Sequence, residues 1–129
     1  MMNKQLLIVD DEERLRELVQ ACLEDLVGWK TIATGSGKEA IALAQTCPID
    51  AILLDVSMPD MDGFAVYEQL QAHPVTRAIP VILLTAKVLL SDRARFAALG
   101  VAGVIAKPFN PLEIGTEVAE ILGWSTEAG

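Results

Sequence analysis

Histidine and cysteine are scarce in this chain, and positive charge is outnumbered. Of 129 residues one is histidine, His73, and two are cysteines, Cys22 and Cys47. Neither cysteine stands at metal-ligand spacing from the other, which excludes a cysteine-built zinc site. Cys22 falls on an apolar helical stripe and Cys47 follows a helix, so both read as reduced structural thiols. His73 stands at a helix end before Pro74 and reads as a surface residue. Lys and Arg total 10 against 18 Asp and Glu, a net charge of −8. The ten cations are spread along the chain, which argues against direct nucleic-acid binding. No apolar run approaches the ~20 residues a membrane helix requires. The N-terminal stretch MMNKQLLIVDDEE meets acids too early for a signal peptide. No membrane insertion and a cytoplasmic location are therefore expected. The length suits one domain, and no linker interrupts it.

What is present is a regular alternation. Gln5 to Val9, Ala51 to Asp55 and Val81 to Leu84 are short apolar runs, the signature of strands buried on both faces. Trp29 to Thr34 is half polar and reads as an edge strand. Val101 to Ala106 is the fifth. Between them, apolar residues recur at helical spacing. Glu12 to Val27 carries Leu15, Leu18, Val19, Cys22, Leu23 and Leu26, and Gly28 stops it. Ser36 caps a second helix, with Glu39 as capping-box partner and Ala40, Ile41, Leu43 and Ala44 inward. Gly63 to Ala72 presents Phe64, Tyr67 and Leu70. Leu89 to Leu99 leaves Arg93 and Arg95 exposed. Asn110 or Pro111 to Leu122 turns Ile114, Val118, Ile121 and Leu122 inward. Five strand–helix repeats predict an α/β fold, a doubly wound five-stranded parallel sheet flanked by five helices in three layers. Residues 1–122 form the domain, and 123–129 a short tail in which Trp124 packs on the last helix.

Ligands in such sheets bind beyond the carboxyl ends of the strands. Those ends carry Asp10 and Asp11, Asp55, Thr85 and Lys107. Solvent exposure explains one or two polar residues there. Three acids beside one lysine repel one another unless a cation joins them. Mg²⁺ takes oxygen ligands, commonly one or two carboxylates with water and phosphate. Asp11 and Asp55 suit direct ligation, Asp10 suits holding a water, and Ser57 offers its backbone carbonyl. Lys107 suits pairing first with Asp55 and then with a phosphoryl oxygen, and Thr85 suits a hydroxyl hydrogen bond to the same group. Asp55 is already ionised at neutral pH and needs no general base to become a nucleophile.

Asp10-Asp11, LLDVSMPDMDG around Asp55, Thr85-Ala86 and Lys107-Pro108-Phe109 stand in an order and spacing that resembles the receiver domains of two-component response regulators, the CheY-like family. The resemblance covers about residues 4 to 122. It implies the strand order 2-1-3-4-5 and a cis Lys107–Pro108 bond. It also implies phosphorylation of Asp55 by a histidine kinase or histidine phosphotransfer protein, and signalling to a downstream protein target. The domain would assist its own phosphotransfer and dephosphorylation without being an enzyme otherwise. Thr85 and the residue three before Lys107 form the family's switch. That residue is often aromatic and is Val104 here, so the Thr–aromatic coupling has no ring to move. Lys87 and Ser57 sit where the family varies. At 129 residues the chain is expected to carry no output domain and to act through partners.

Three other patterns fall away. Gly35-Ser36-Gly37-Lys38-Glu39-Ala40 fits a dinucleotide-binding fingerprint, with Asp55 where a ribose-binding acid stands. That reading leaves Asp10, Asp11, Thr85 and Lys107 unused. A phosphate loop needs Ser or Thr where Glu39 stands. A haloacid-dehalogenase-type phosphatase needs a second Asp at Ser57. Met58 and Met61 cover the core rim. The competing reading is a receiver fold that binds partners without being phosphorylated.

Overall fold

The computed structural model describes residues 4–86 and 90–124, with side chains at 90–93 and 95 excepted. Five strands and five helices alternate: β1 Gln5–Val9, α1 Glu13–Cys22, β2 Lys30–Thr34, α2 Gly37–Thr46, β3 Ala51–Asp55, α3 Gly63–Ala72, β4 Val81–Thr85, α4 Leu90–Leu99, β5 Gly103–Ala106 and α5 Ile114–Leu122. All strand pairs are parallel, in the order β2-β1-β3-β4-β5. Both the parallel sheet and the order implied by the resemblance are present.

The apolar runs of β1, β3 and β4 fill two cores, because successive side chains point to opposite faces. Leu6, Ile8, Leu53, Ile82 and Leu84 face α1 and α5, with Ile114 and Val118. Leu7, Val9, Ile52, Leu54 and Leu83 face α2, α3 and α4, with Ala40, Ala44, Val66, Leu70 and Phe96. Thus β3 and β4 are buried at every residue, whereas β2, at the sheet edge, is fully buried only at Thr34. Met58 is buried and Met61 is partly buried, both in the second core. Cys22 is buried and Cys47 half-buried, both as free thiols.

The first helix departs from the expected continuous Glu12–Val27. Glu12 is its N-cap, and Leu23–Val27 form a π-helical turn, closed by Gly28 at φ 81°. The wider turn advances the helix by an extra residue. Val27 therefore swings in against Gly115 of α5, while Leu26 is 60% exposed. Leu18 is also turned to solvent, at 50%. The apolar stripe is therefore carried inward by Val19, Cys22 and Leu23. Trp29 precedes β2 instead of opening it and is buried in the core. At α2 only half of the expected capping box forms. Ser36 Oγ accepts from Glu39 N, but Ser36 N donates to Thr34 Oγ1 and not to the Glu39 side chain. The fifth strand begins at Gly103, later than the expected Val101. Asn110 caps a short 3₁₀ turn, Pro111–Glu113, that leads into α5. His73 caps α3, its Nδ1 accepting from Val75 N at 3.3 Å. Trp124 meets Trp29 edge to face, centroids 5.3 Å apart. The Arg93 and Arg95 side chains, Lys87 and Leu89 and the tail beyond Trp124 lie outside the described residues.

Candidate phosphoryl-acceptor site

Strand register builds the site. Val9 pairs with Leu54, so the next residues, Asp10 and Asp55, emerge side by side at the carboxyl edge. Thr85 pairs with Ala106, which puts Lys107 directly after it on the same edge. Lys107 N donates to Thr85 O at 2.9 Å. Asp10, Asp11 and Asp55 each place a carboxylate oxygen so that all lie within 4.8 Å of one another. Asp10 and Asp55 are buried, and Asp11 is exposed.

Lys107 is the counter-charge. Its Nζ lies 2.8 Å from Asp10 Oδ2 and 3.4 Å from Asp55 Oδ2. The pairing with Asp55 expected from the sequence is present, and Asp10 adds a shorter contact that spacing did not indicate. Both carboxylates are buried, Asp55 at 4% exposure. Asp10 is 1% exposed, and its other oxygen accepts only one backbone hydrogen, from Glu12 N at 2.9 Å. A carboxylate that is almost dry gains most from the ammonium. Asp55 keeps Ser57 N on Oδ1 at 3.1 Å and shares the lysine through Oδ2.

These contacts set opposing pressures on protonation. Burial raises the Asp55 carboxyl above its usual range, the Ser57 N–H opposes this, Asp10 adds to it and Lys107 counters it; the net shift is upward. Burial pulls the Lys107 ammonium down, but the hydrogen bond and charge of Asp10, followed by Asp55, outweigh it and raise its pKa. An anionic site with one lysine is short of positive charge. The three carboxylates form a hard oxygen donor set of the kind that suits Mg²⁺. Beside Lys107 a cleft of about 330 Å³ opens between Glu12, Leu15, Ala86, Pro108 and Phe109. The Lys107–Pro108 bond is cis.

All the strand-end residues singled out in the sequence converge here: Asp10, Asp11, Asp55, Thr85 and Lys107. Thr85 is buried at 2%. Ser57 follows Asp55 on the turn, and Val104 lies further down β5, half-buried in the second core. Two supporting residues were missed. Arg16 Nη1 donates to Asp10 O at 2.7 Å, holding the loop of the first acids. Asp60 reaches from the turn after β3 to the start of α2. Neither is legible from spacing, because each contact depends on tertiary placement.

Comparison with known proteins agrees with this geometry. The family model described as response regulator receiver domain matches residues 6–119. The chain belongs to the response regulator receiver domain family. It is 39% identical over 121 residues to the alkaline phosphatase synthesis transcriptional regulatory protein PhoP of Bacillus subtilis, covering 94% of this chain and 49% of that protein. It is 37% identical to the transcriptional regulatory protein SrrA of Staphylococcus aureus, over 94% of this chain and 48% of that one. The chain thus spans about half the length of the curated relatives it matches. Chemotaxis response regulator CheY4 of Vibrio cholerae superposes with a TM-score of 0.85 at 29% identity, covering 93% of this chain and 99% of CheY4. The receiver domain of the sensor histidine kinase PA1611 of Pseudomonas aeruginosa, solved with a magnesium ion in its active-site cleft, superposes at 0.81 with 29% identity, covering 95% of this chain and 99% of that domain. No helix among the described residues is long and apolar enough to cross a membrane.

Proposed function

We propose that this receiver domain accepts a phosphoryl group on Asp55, in a Mg²⁺-dependent step, and signals by contact with a protein target. The observation that carries the reading is the pairing of a buried Asp55 with Lys107 at 3.4 Å inside a cluster of three carboxylates. Membership of the receiver family and the magnesium-bound cleft of the PA1611 domain support it.

Asp55 Oδ2 attacks phosphorus, and a P–O bond forms as the donor's bond to phosphorus breaks. The electron pair leaves with the donor atom, a ring nitrogen when the donor is a phosphohistidine of a histidine kinase or phosphotransfer protein. Ser57 N–H, on Oδ1, orients the carboxylate so that the other oxygen faces Lys107. Lys107 is on a flexible stem, and its Nζ moves from the carboxylates to the new phosphoryl oxygens. Thr85 donates its hydroxyl to the same group. Asp10, Asp11, Asp55 and the Ser57 backbone carbonyl would hold the metal. When bound, Mg²⁺ supplies positive charge against the transferring oxygens. The chain assists only its own phosphorylation and hydrolysis, with no other turnover, and acts in the cytoplasm.

Incubation with acetyl phosphate and Mg²⁺, read by intact mass, tests this. A single added phosphoryl group, lost in EDTA and in Asp55→Asn, is expected. A label that persists in Asp55→Asn places the acceptor elsewhere. No label in the wild type leaves partner binding without phosphorylation as the function.

A further inference from the structure

We propose that Asp60 is a positioning residue, which by closing the amino end of α2 holds the β3–α3 turn in the shape that presents Asp55 and Ser57 to a divalent cation. This rests on the metal and phosphoryl reading above. Asp60 lies five residues past Asp55, on the exposed turn. Its carboxylate collects three hydrogen bonds from a single distant segment: Ser36 Oγ at 2.9 Å, Gly37 N at 3.1 Å and Lys38 N at 3.4 Å. The first turn of a helix leaves N–H groups without intrahelical partners. Ser36 satisfies the third of them, Glu39 N, and Asp60 takes the two before it from across the fold.

The other end of the turn is also fixed. Gly63 N donates to Val56 O at 3.0 Å, closing the base, so Ser57 is held between an anchored base and an anchored tip. A Cβ on Gly37 would lie 2.8 Å from Val66 Cγ2 and 3.1 Å from Met61 Cβ, so the start of α2 packs closely on the turn and on α3. The same α2 start is tied to the loop of the first acids. Ser36 N donates to Thr34 Oγ1, Asp10 N donates to Thr34 O, and Arg16 runs past Gly35 to Asp10 O. Asp60 thus joins the two loops that carry Asp10 and Asp11 on one side and Asp55 and Ser57 on the other. An exposed carboxylate at a helix end adds little to global stability. Its loss is therefore read at the site.

The test compares wild type, Asp60→Asn, Asp60→Ala and Ser36→Ala as full chains. Mg²⁺ affinity is measured by calorimetry, and acetyl phosphate labelling is followed as a function of Mg²⁺. Supporting residues around metal sites commonly change affinity by 10–100-fold. Asp60→Ala is expected to weaken Mg²⁺ binding about tenfold, with Asp60→Asn and Ser36→Ala in between. The Mg²⁺ needed for half-maximal labelling rises, the limiting rate at saturating Mg²⁺ is unchanged, and the Ser57 and Gly37 amides exchange faster. Wild-type affinity and exchange in Asp60→Ala overturn the proposal. Should that variant not fold, the same comparison is made with Asp60→Asn and Ser36→Ala, and wild-type affinity in both overturns it. A wild type that binds Mg²⁺ but takes no phosphoryl group sinks the phosphorylation reading alone, and calorimetry still decides Asp60. A wild type that binds no Mg²⁺ overturns the inference.

Discussion

Asp55 is held ready at a cost to the fold. Its unfolded carboxyl titrates near 3.8, and burial raises the folded one. Below both values the two states hold the same proton. As pH rises between them, the folded state keeps a proton that the unfolded state has lost, so stability falls. Above both, the whole penalty is in place. Asp55→Asn removes it while keeping the side chain's shape. In the absence of divalent metal the variant is expected to melt above wild type at pH 7, with the gap closing toward pH 3. In a domain of this size about 1 kcal/mol corresponds to roughly 4 °C in Tm, which sets the sensitivity of the comparison. Equal melting at pH 7 contradicts the expected gap. The acids and the lysine were legible as residues, because each ends a strand whose apolar run marks it. So was the pairing of Lys107 with Asp55; its shorter contact with Asp10 was not. That Lys107 sits closer to Asp10 than to Asp55 depends on the placement of the loops in space, which strand ends alone do not reveal.

Among the elements, α3 is set hardest against the site. A Cβ on Gly63 would lie 2.6 Å from Asp55 O and 2.7 Å from Val56 Cα, both backbone atoms. Backbone cannot rotate aside, so either α3 or the end of β3 must move. Gly103 makes the informative contrast: there the three atoms nearest an added Cβ all belong to the Ile121 side chain, the closest at 2.7 Å. Overpacking costs about 1–3 kcal/mol. Gly63→Ala is expected at the upper end of that range and Gly103→Ala at the lower, measured by urea unfolding. Only Gly63→Ala is expected to slow labelling of Asp55. Equal losses in the two would mean that the α3 contact yields as easily as a side chain. Periodicity revealed every strand and the helices between them, since burial on two faces and on one stripe leave different patterns. It missed the π turn at Leu23–Val27. Apolar spacing near 3.6 is the same whether the next backbone hydrogen bond spans four residues or five, so Leu26 looked buried and is not.

At the scale of the whole molecule the two ends of the sheet do different work. At the amino ends of the strands, Trp124 closes over Trp29, with Lys4 Nζ 4.6 Å from the Trp124 ring centroid. Trp124→Ala is expected to lower stability by about 1–3 kcal/mol through lost apolar burial and ring contact, and to leave Asp55 labelling unchanged. A labelling defect would show that the two ends communicate. The carboxyl ends gather the acids, and there the fold is linked to metal. A ligand that binds only the folded state adds RT ln(1 + [L]/Kd), about 2.7 kcal/mol at a hundredfold excess over Kd. For this chain that is a rise in Tm of roughly 10 °C. Asp55→Asn and Asp11→Asn are expected to lose most of the rise, and NaCl at matched ionic strength is expected not to reproduce it. Asp55→Asn starts above wild type without metal and gains little from it, so the two melting curves must cross as Mg²⁺ increases. Screening of the −8 net charge would lift both proteins together and give no crossing. The crossing therefore tells a built cation site from a merely acidic surface.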